Sequence, residues 1–167
     1  MSKKNHQCCA WIALADTERC RLLRCDLTKQ GTHRVREITG FENRWPKHRR
    51  GRPMALGGMT GDSYAAPHHY VGERIRRFAE DVIKQLEAEC KARQVGRLVI
   101  LAPARFMGEL RQLHEPQHAR FELREGELMQ FSTAALASHP VIQGLIDRPK
   151  AESRDWKPAE ARPRLRQ

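Results

Sequence analysis

Cys8-Cys9-Ala10-Trp11-Ile12-Ala13-Leu14-Ala15 is the longest apolar run in the chain, and it follows a polar start, Ser2-Lys3-Lys4-Asn5-His6-Gln7. A strand with one wet face alternates polar and apolar positions; a run without polar positions reads as a strand covered on both faces. It is far too short to cross a bilayer, so it is taken as the buried strand of a sheet.

Working outward, residues 9–16, 19–27 and 33–42 read as three consecutive strands, turning at Asp16-Thr17-Glu18 and at Thr28-Lys29-Gln30-Gly31. Such short connections make them antiparallel neighbours. After a loop over 43–66, Val71, Ile75, Phe78, Val82, Leu86 and Cys90 recur at helical spacing and predict a helix over 67–94. Its wet face carries Glu73/Arg77, Glu80/Lys84 and Glu87/Lys91 in the favourable i, i+4 order. Pro67 fits the first turn and Gly96 the exit. Residues 97–102 then read as a buried strand and 103–113 as a helix with Phe106, Leu110 and Leu113 inward. A fifth strand covers 118–124, and a helical stretch covers 132–146, broken at His139-Pro140. The order β-β-β-α-β-α-β-α predicts an α/β fold with three layers around a five-stranded mixed sheet, the ribonuclease-H-like layout.

The charge is unevenly placed. Residues 1–60 carry thirteen Lys/Arg against five acids, 61–147 eleven against twelve, and 148–167 seven against three, within a formal net charge of +11. The expected organisation is a polar N-terminus over 1–8, an α/β domain over 9–147 and a basic, proline-containing tail over 148–167. The first excess peaks at Arg44-Trp45-Pro46-Lys47-His48-Arg49-Arg50-Gly51-Arg52, with six basic side chains and no acid; the second closes the tail with Arg162, Arg164 and Arg166. A solvated globule has no need of such clusters, whereas a phosphate-rich partner rewards them by counterion release. The duller reading is a solvated charge run, and Trp45 reads equally as a platform for a base or guanidinium and as a cap on the sheet edge.

Other chemistry finds little support. Five cysteines without a Cys-x-x-Cys pair suit reduced thiols. His6, Cys8 and Cys9 lack a fourth ligand for zinc. A two-metal nuclease needs carboxylates from the first strand, the long helix and the end of the fourth strand. Asp16 and Glu73 or Glu80 supply two, but the fourth strand ends in Leu101-Ala102-Pro103-Ala104-Arg105. His68 and His69 read as packing or capping residues, and Phe106 and Met107 as core. No metal or cofactor is expected, no export signal or membrane span is seen, and the expected location is cytoplasmic.

Three stretches point to a family: Trp11 to Asp16 with Arg19 to Leu23, Glu73-Arg74-Ile75-Arg76-Arg77-Phe78-Ala79-Glu80, and above all Leu98-Val99-Ile100-Leu101-Ala102-Pro103-Ala104-Arg105-Phe106-Met107-Gly108-Glu109-Leu110-Arg111. Together they resemble the bacterial host-attachment protein family, whose members look like stand-alone relatives of the central domain of archaeal and eukaryotic class 1 release factors and of Pelota. The resemblance covers roughly residues 9–146. In release factors the loop before the long helix carries Gly-Gly-Gln, which helps water attack peptidyl-tRNA. The same interval here contains Leu56-Gly57-Gly58-Met59-Thr60-Gly61, with a shorter spacing. Two glycines let a backbone thread close to RNA, although an ordinary flexible loop has them too. The Met59 thioether donates no hydrogen bond and accepts one poorly, so the role of the glutamine in orienting water is lost.

The resemblance therefore implies an RNA-binding protein that occupies a ribosomal or tRNA site without hydrolysis, as a hibernation, rescue or stress factor. Its expected contacts are Arg44, Trp45, Lys47, His48, Arg49, Arg50, Arg52, Gly57, Gly58, Met59, Arg74, Arg162, Arg164 and Arg166, and its expected partners are rRNA, the ribosome or tRNA, with a second translation factor left open. The alternatives are a release-type hydrolase of peptidyl-tRNA working through the Gly57-Gly58 backbone, and the host-cell adhesion in the family name. Oligomeric state is left open.

Overall fold

A computed structural model describes residues 7–28, 30–46, 67–114 and 120–146. The strands are β1 (Gln7–Ala15), β2 (Arg19–Leu27), β3 (His33–Glu42), β4 (Leu98–Ala102) and β5 (Phe121–Glu125), and the helices are α1 (Pro67–Arg93), α2 (Ala104–Leu113), α3 (Thr133–Ala137) and α4 (Pro140–Ile146). The sheet runs β3-β2-β1-β4-β5. β1 and β2 pair antiparallel, as do β2 and β3, while β4 pairs parallel with both β1 and β5. This is the expected five-stranded mixed sheet.

The apolar run of β1 is explained by its central place. Ala13 and Ala15 enter one core with Cys20, Leu22, Ile100 and the apolar stripes of α1 and α2. Ile12 and Leu14 enter the other with Leu23, Cys25, Val99, Leu101 and the buried residues of α3 and α4. Successive side chains leave a strand on opposite faces, so a strand with a helical layer on each side has no wet position. All five residues of β4 are buried for the same reason. The two long helices meet through Phe78 and Phe106, ring centroids 5.7 Å apart. Phe106 and Met107 are core, as read from sequence.

Three details depart from the sequence reading. Val71 is 38% exposed although it continues the apolar stripe of Ile75, Phe78, Val82, Leu86 and Cys90. Arg74, nearly one turn later, is level with the β1–β2 turn through its bond to Glu18, so the first turn of α1 overhangs the end of the sheet. The long helix does not use Gly96 at its exit. It ends with Gln94 in the left-handed region at φ 55, with Val95 N donating to Cys90 O at 2.9 Å and Gln94 N to Lys91 O at 3.4 Å. That is a Schellman cap, completed by the burial of Val95. Glu73 pairs with Arg77 as expected, but Glu80 pairs with Arg76. The final helical stretch is two short helices, interrupted at Ser138-His139 where Pro140 opens α4.

Cys20, Cys25 and Cys90 are free thiols, all buried. Burial, helped by the charge of Asp16, pushes the Cys20 thiol up, and burial also raises Cys90. Neither is a nucleophile at neutral pH. On the outer strands, burial works to raise the Glu122 carboxyl, but hydrogen bonds from Arg97 and Arg124 outweigh it and hold the group below its ordinary value.

Gln94→Gly relieves the left-handed strain at the cap and is expected to stabilise the fold by about 0.5–1 kcal/mol in urea unfolding. Because the Glu122 carboxyl is held low in the folded state, its contribution is present above the unfolded value of about 4.3 and is lost as pH falls through the lower folded value. Glu122→Gln is therefore expected to lower stability at pH 7 and to flatten the fall in stability below about pH 4.

Candidate nucleic-acid interface

Residues 43–46 follow β3 and Pro67 opens α1, and the topology determines where these two points stand. β3 runs parallel to β1, because each is antiparallel to β2. Both end at one edge of the sheet, and β4, parallel to β1, ends there too. α1 must then run back from that edge to the start of β4, and α2 starts from the same edge after Pro103. The amino-terminal ends of the two long helices, which carry positive dipole ends, thus stand at the end of the sheet where β3 finishes.

Asp16 shapes the corner. Its Oδ1 accepts from the backbone N–H groups of Glu18 and Arg19, both at 2.7 Å, and closes the β1–β2 turn. Glu18 O accepts from Asn43 N at 2.7 Å, and Asn43 Nδ2 donates to Thr17 O at 2.9 Å, which ties the exit of β3 to that turn. Asn43 Oδ1 then accepts from Trp45 N at 3.0 Å.

α1 completes the clasp. Arg74 donates from Nη1 and Nη2 to the two carboxylate oxygens of Glu18, each at 2.8 Å, and from Nε to Trp45 O at 2.8 Å. The Trp45 indole donates to Asp81 Oδ2 at 2.9 Å, and the Arg77 guanidinium lies 4.8 Å from its ring centroid. Of the two readings of Trp45, the structure supplies the guanidinium stack, while the residue stays 37% exposed.

Arg74 has a different place from the one read in the sequence. It is 8% exposed, and each of its three guanidinium nitrogens donates within the protein, to Glu18 and to the carbonyl of Trp45. The exposed cations here are Arg19, Arg44 and Arg105, with no ion-pair partner among the described residues, and Arg76 and Arg77, which are 63% and 48% exposed. An open cleft of about 760 Å³ beside the clasp has Arg19, Arg44, Phe41, Asp81 and Gln85 in its lining.

Arg44, Trp45 and Arg74 are thus brought to one corner. Lys47, His48, Arg49, Arg50, Arg52, Gly57, Gly58, Met59, Arg162, Arg164 and Arg166 lie outside the described residues, as do the side chains of His68 and His69. Glu18, Asn43, Arg77 and Asp81 were not singled out as site residues by sequence, although Glu18 stood in a recognised turn and Arg77 in a recognised helical pair. The carboxylates considered for a nuclease are engaged elsewhere: Asp16 closes its turn, Glu73 pairs with Arg77 and Glu80 with Arg76. Among the described residues no three His, Cys, Asp or Glu side chains are grouped to hold a metal ion, and no helix is long and apolar enough to cross a membrane.

No curated protein matches the chain. A family model does, over residues 9–121, from β1 through the clasp, the loop, α1, β4 and α2 to the first residue of β5. With more than half of its length matched, the chain belongs to the bacterial archaeo-eukaryotic release factor family 12.

Proposed function

We propose that this protein binds RNA of the translational apparatus, docking on the ribosome or a tRNA-like ligand through the loop rooted in the Trp45 clasp, and that it does so without hydrolysing peptidyl-tRNA. Family membership supports a translation-related role. The observation that carries the finer reading is the clasp: Glu18, Arg74, Asp81 and Arg77 hold Trp45 at the head of a run that continues Lys47-His48-Arg49-Arg50-Gly51-Arg52. A basic segment gains from a rigid root, because less conformational freedom is lost when its cations meet phosphates.

The absence of hydrolysis is read from Met59, which stands after Gly57-Gly58 where release factors carry glutamine. Its thioether offers no donor to orient an attacking water, so occupancy of the site and catalysis are separated.

The protein is expected to cosediment with ribosomes at low salt, with an affinity that falls steeply as salt rises. Replacing Arg49, Arg50 and Arg52 with Gln is expected to weaken that association at least tenfold and to reduce the slope of log affinity on log salt by roughly 2, at about 0.7 for each phosphate no longer neutralised. Peptide release from stalled complexes stays at background. Unchanged association of the triple variant, or persistence of the wild type in ribosome-free fractions at low salt, contradicts the proposal.

A further inference from the structure

At the opposite end of the sheet from the clasp, β2 and β3 carry a tile of charge that neither the loop nor the core uses. Their register sets Arg24 opposite Arg36 and Asp26 opposite Arg34, and residues two apart on a strand share a face, so all four stand on the α1 side. Asp26 is 1% exposed. Its Oδ1 accepts from Arg24 Nε at 2.7 Å and its Oδ2 from Arg36 Nη2 at 2.6 Å. The Arg36 side chain is 45% exposed, and Arg34 is exposed with no ion pair among the described residues. Trp11, partly buried, lies opposite Arg24 in β1, with the guanidinium 5.9 Å from its ring centroid.

Burial of the Asp26 carboxylate accounts for Arg24 and Arg36, which pair with it, but not for the exposed Arg34 beside them. Arg34 adds a third guanidinium to the tile, opposite Asp26 in the register, and forms no ion pair among the described residues. Elsewhere Arg21 meets Glu37, Arg93 meets Glu89 and Arg111 meets Glu125 one to one, and Arg97 and Arg124 share Glu122 with no third arginine in an ion pair there. Exposed and outside the ion pairs of the described residues, Arg34 leaves the tile open to a partner beyond the fold. Asp26 also gives the tile its order: a buried carboxylate holding two arginines by separate oxygens fixes their forks, and Arg36 keeps the remainder of its N–H groups towards solvent. The complementary ligand is an anion with several oxygens. A phosphodiester is chosen over a carboxylate peptide because the chain is read above as binding RNA, whose phosphates present several oxygens to such forks.

We propose that Arg24, Arg34 and Arg36 form a second phosphate-binding patch, which takes the sugar-phosphate backbone of an RNA strand engaged at the loop edge. Six strand steps separate Arg36 from Glu42, where β3 ends, which places the patch roughly 20 Å from the end of the strand that leads to the clasp. Two such contacts on one strand bind as a linked pair and outperform either alone. The inference rests on the RNA reading above for the class of ligand, but not on the loop for its site.

The test uses the full chain and a labelled oligouridylate of about 30 nucleotides, which at roughly 3.4 Å per nucleotide spans both patches. Arg34→Gln breaks no ion pair in the described structure and is expected to weaken binding about threefold and lower the salt slope by roughly 0.7. Arg34→Gln with Arg36→Gln is expected to weaken it about tenfold, with roughly twice the change in slope. If wild type binds, the Arg49/Arg50/Arg52 variant binds less well and Arg34→Gln binds as wild type, the second patch is overturned and the loop reading stands. If Arg34→Gln weakens binding while the loop variant does not, this patch stands and the loop reading falls. No binding by wild type overturns both. Polyglutamate that displaces the RNA at lower charge concentration assigns the tile to an acidic protein and overturns the phosphate reading.

Discussion

The bidentate contact between Arg74 and Glu18 joins the β1–β2 turn to the first described turns of the long helix, and the third guanidinium nitrogen reaches the carbonyl of Trp45. Three segments far apart in sequence are tied by one side chain. Glu18 is 41% exposed, so water screens the Coulombic part of the pair, and its worth lies in geometry more than in stability. The guanidinium is planar, and with both carboxylate oxygens engaged it leaves a single direction for the Nε bond. That direction fixes where the chain leaves β3, and with it the origin of the basic loop.

The rest of the architecture makes such a corner available. A central strand with an alanine-rich face lets α1 and α2 lie close over the sheet, and the parallel β1–β4 pair brings the starts of both helices to the edge where β3 ends. Loops at one edge of a rigid sheet are where α/β folds place their ligand contacts, since the sheet fixes the roots while the loop supplies the chemistry. The charge tile at the other end of β2 and β3 is the converse case: the scaffold itself carries the cations, and a buried carboxylate holds them in place.

Much of this was legible in the order of residues. The continuous apolar run of β1, the alternating strands after it and the stripe of α1 set out the element order, and the join at Ala102-Pro103-Ala104-Arg105-Phe106 pointed to the family. What sequence misread has physical reasons. Arg74 looks like one more arginine in Glu73-Arg74-Ile75-Arg76-Arg77, and its burial depends on Glu18, 56 residues away. Val71 keeps the helical period but overhangs the sheet, and periodicity carries no information about where the sheet ends. Gly96 drew the helix exit because glycine is the usual left-handed residue, yet the buried Val95 places the cap so that Gln94 takes that conformation. Asp26 drew no reading from sequence, and the register of β3 is what shows that Arg36 reaches it.

The central claim is that the clasp fixes the start of the basic segment proposed to bind RNA, and the most direct measurement of it is the RNA affinity of Glu18→Leu, compared with wild type at matched folded population. Simple electrostatics says that removing an acid beside a polyanion site strengthens binding. The account predicts the opposite: without Glu18 the Arg74 contact to Trp45 is released, the loop root loosens, and affinity for ribosomal RNA falls. An affinity equal to or higher than that of the wild type contradicts it.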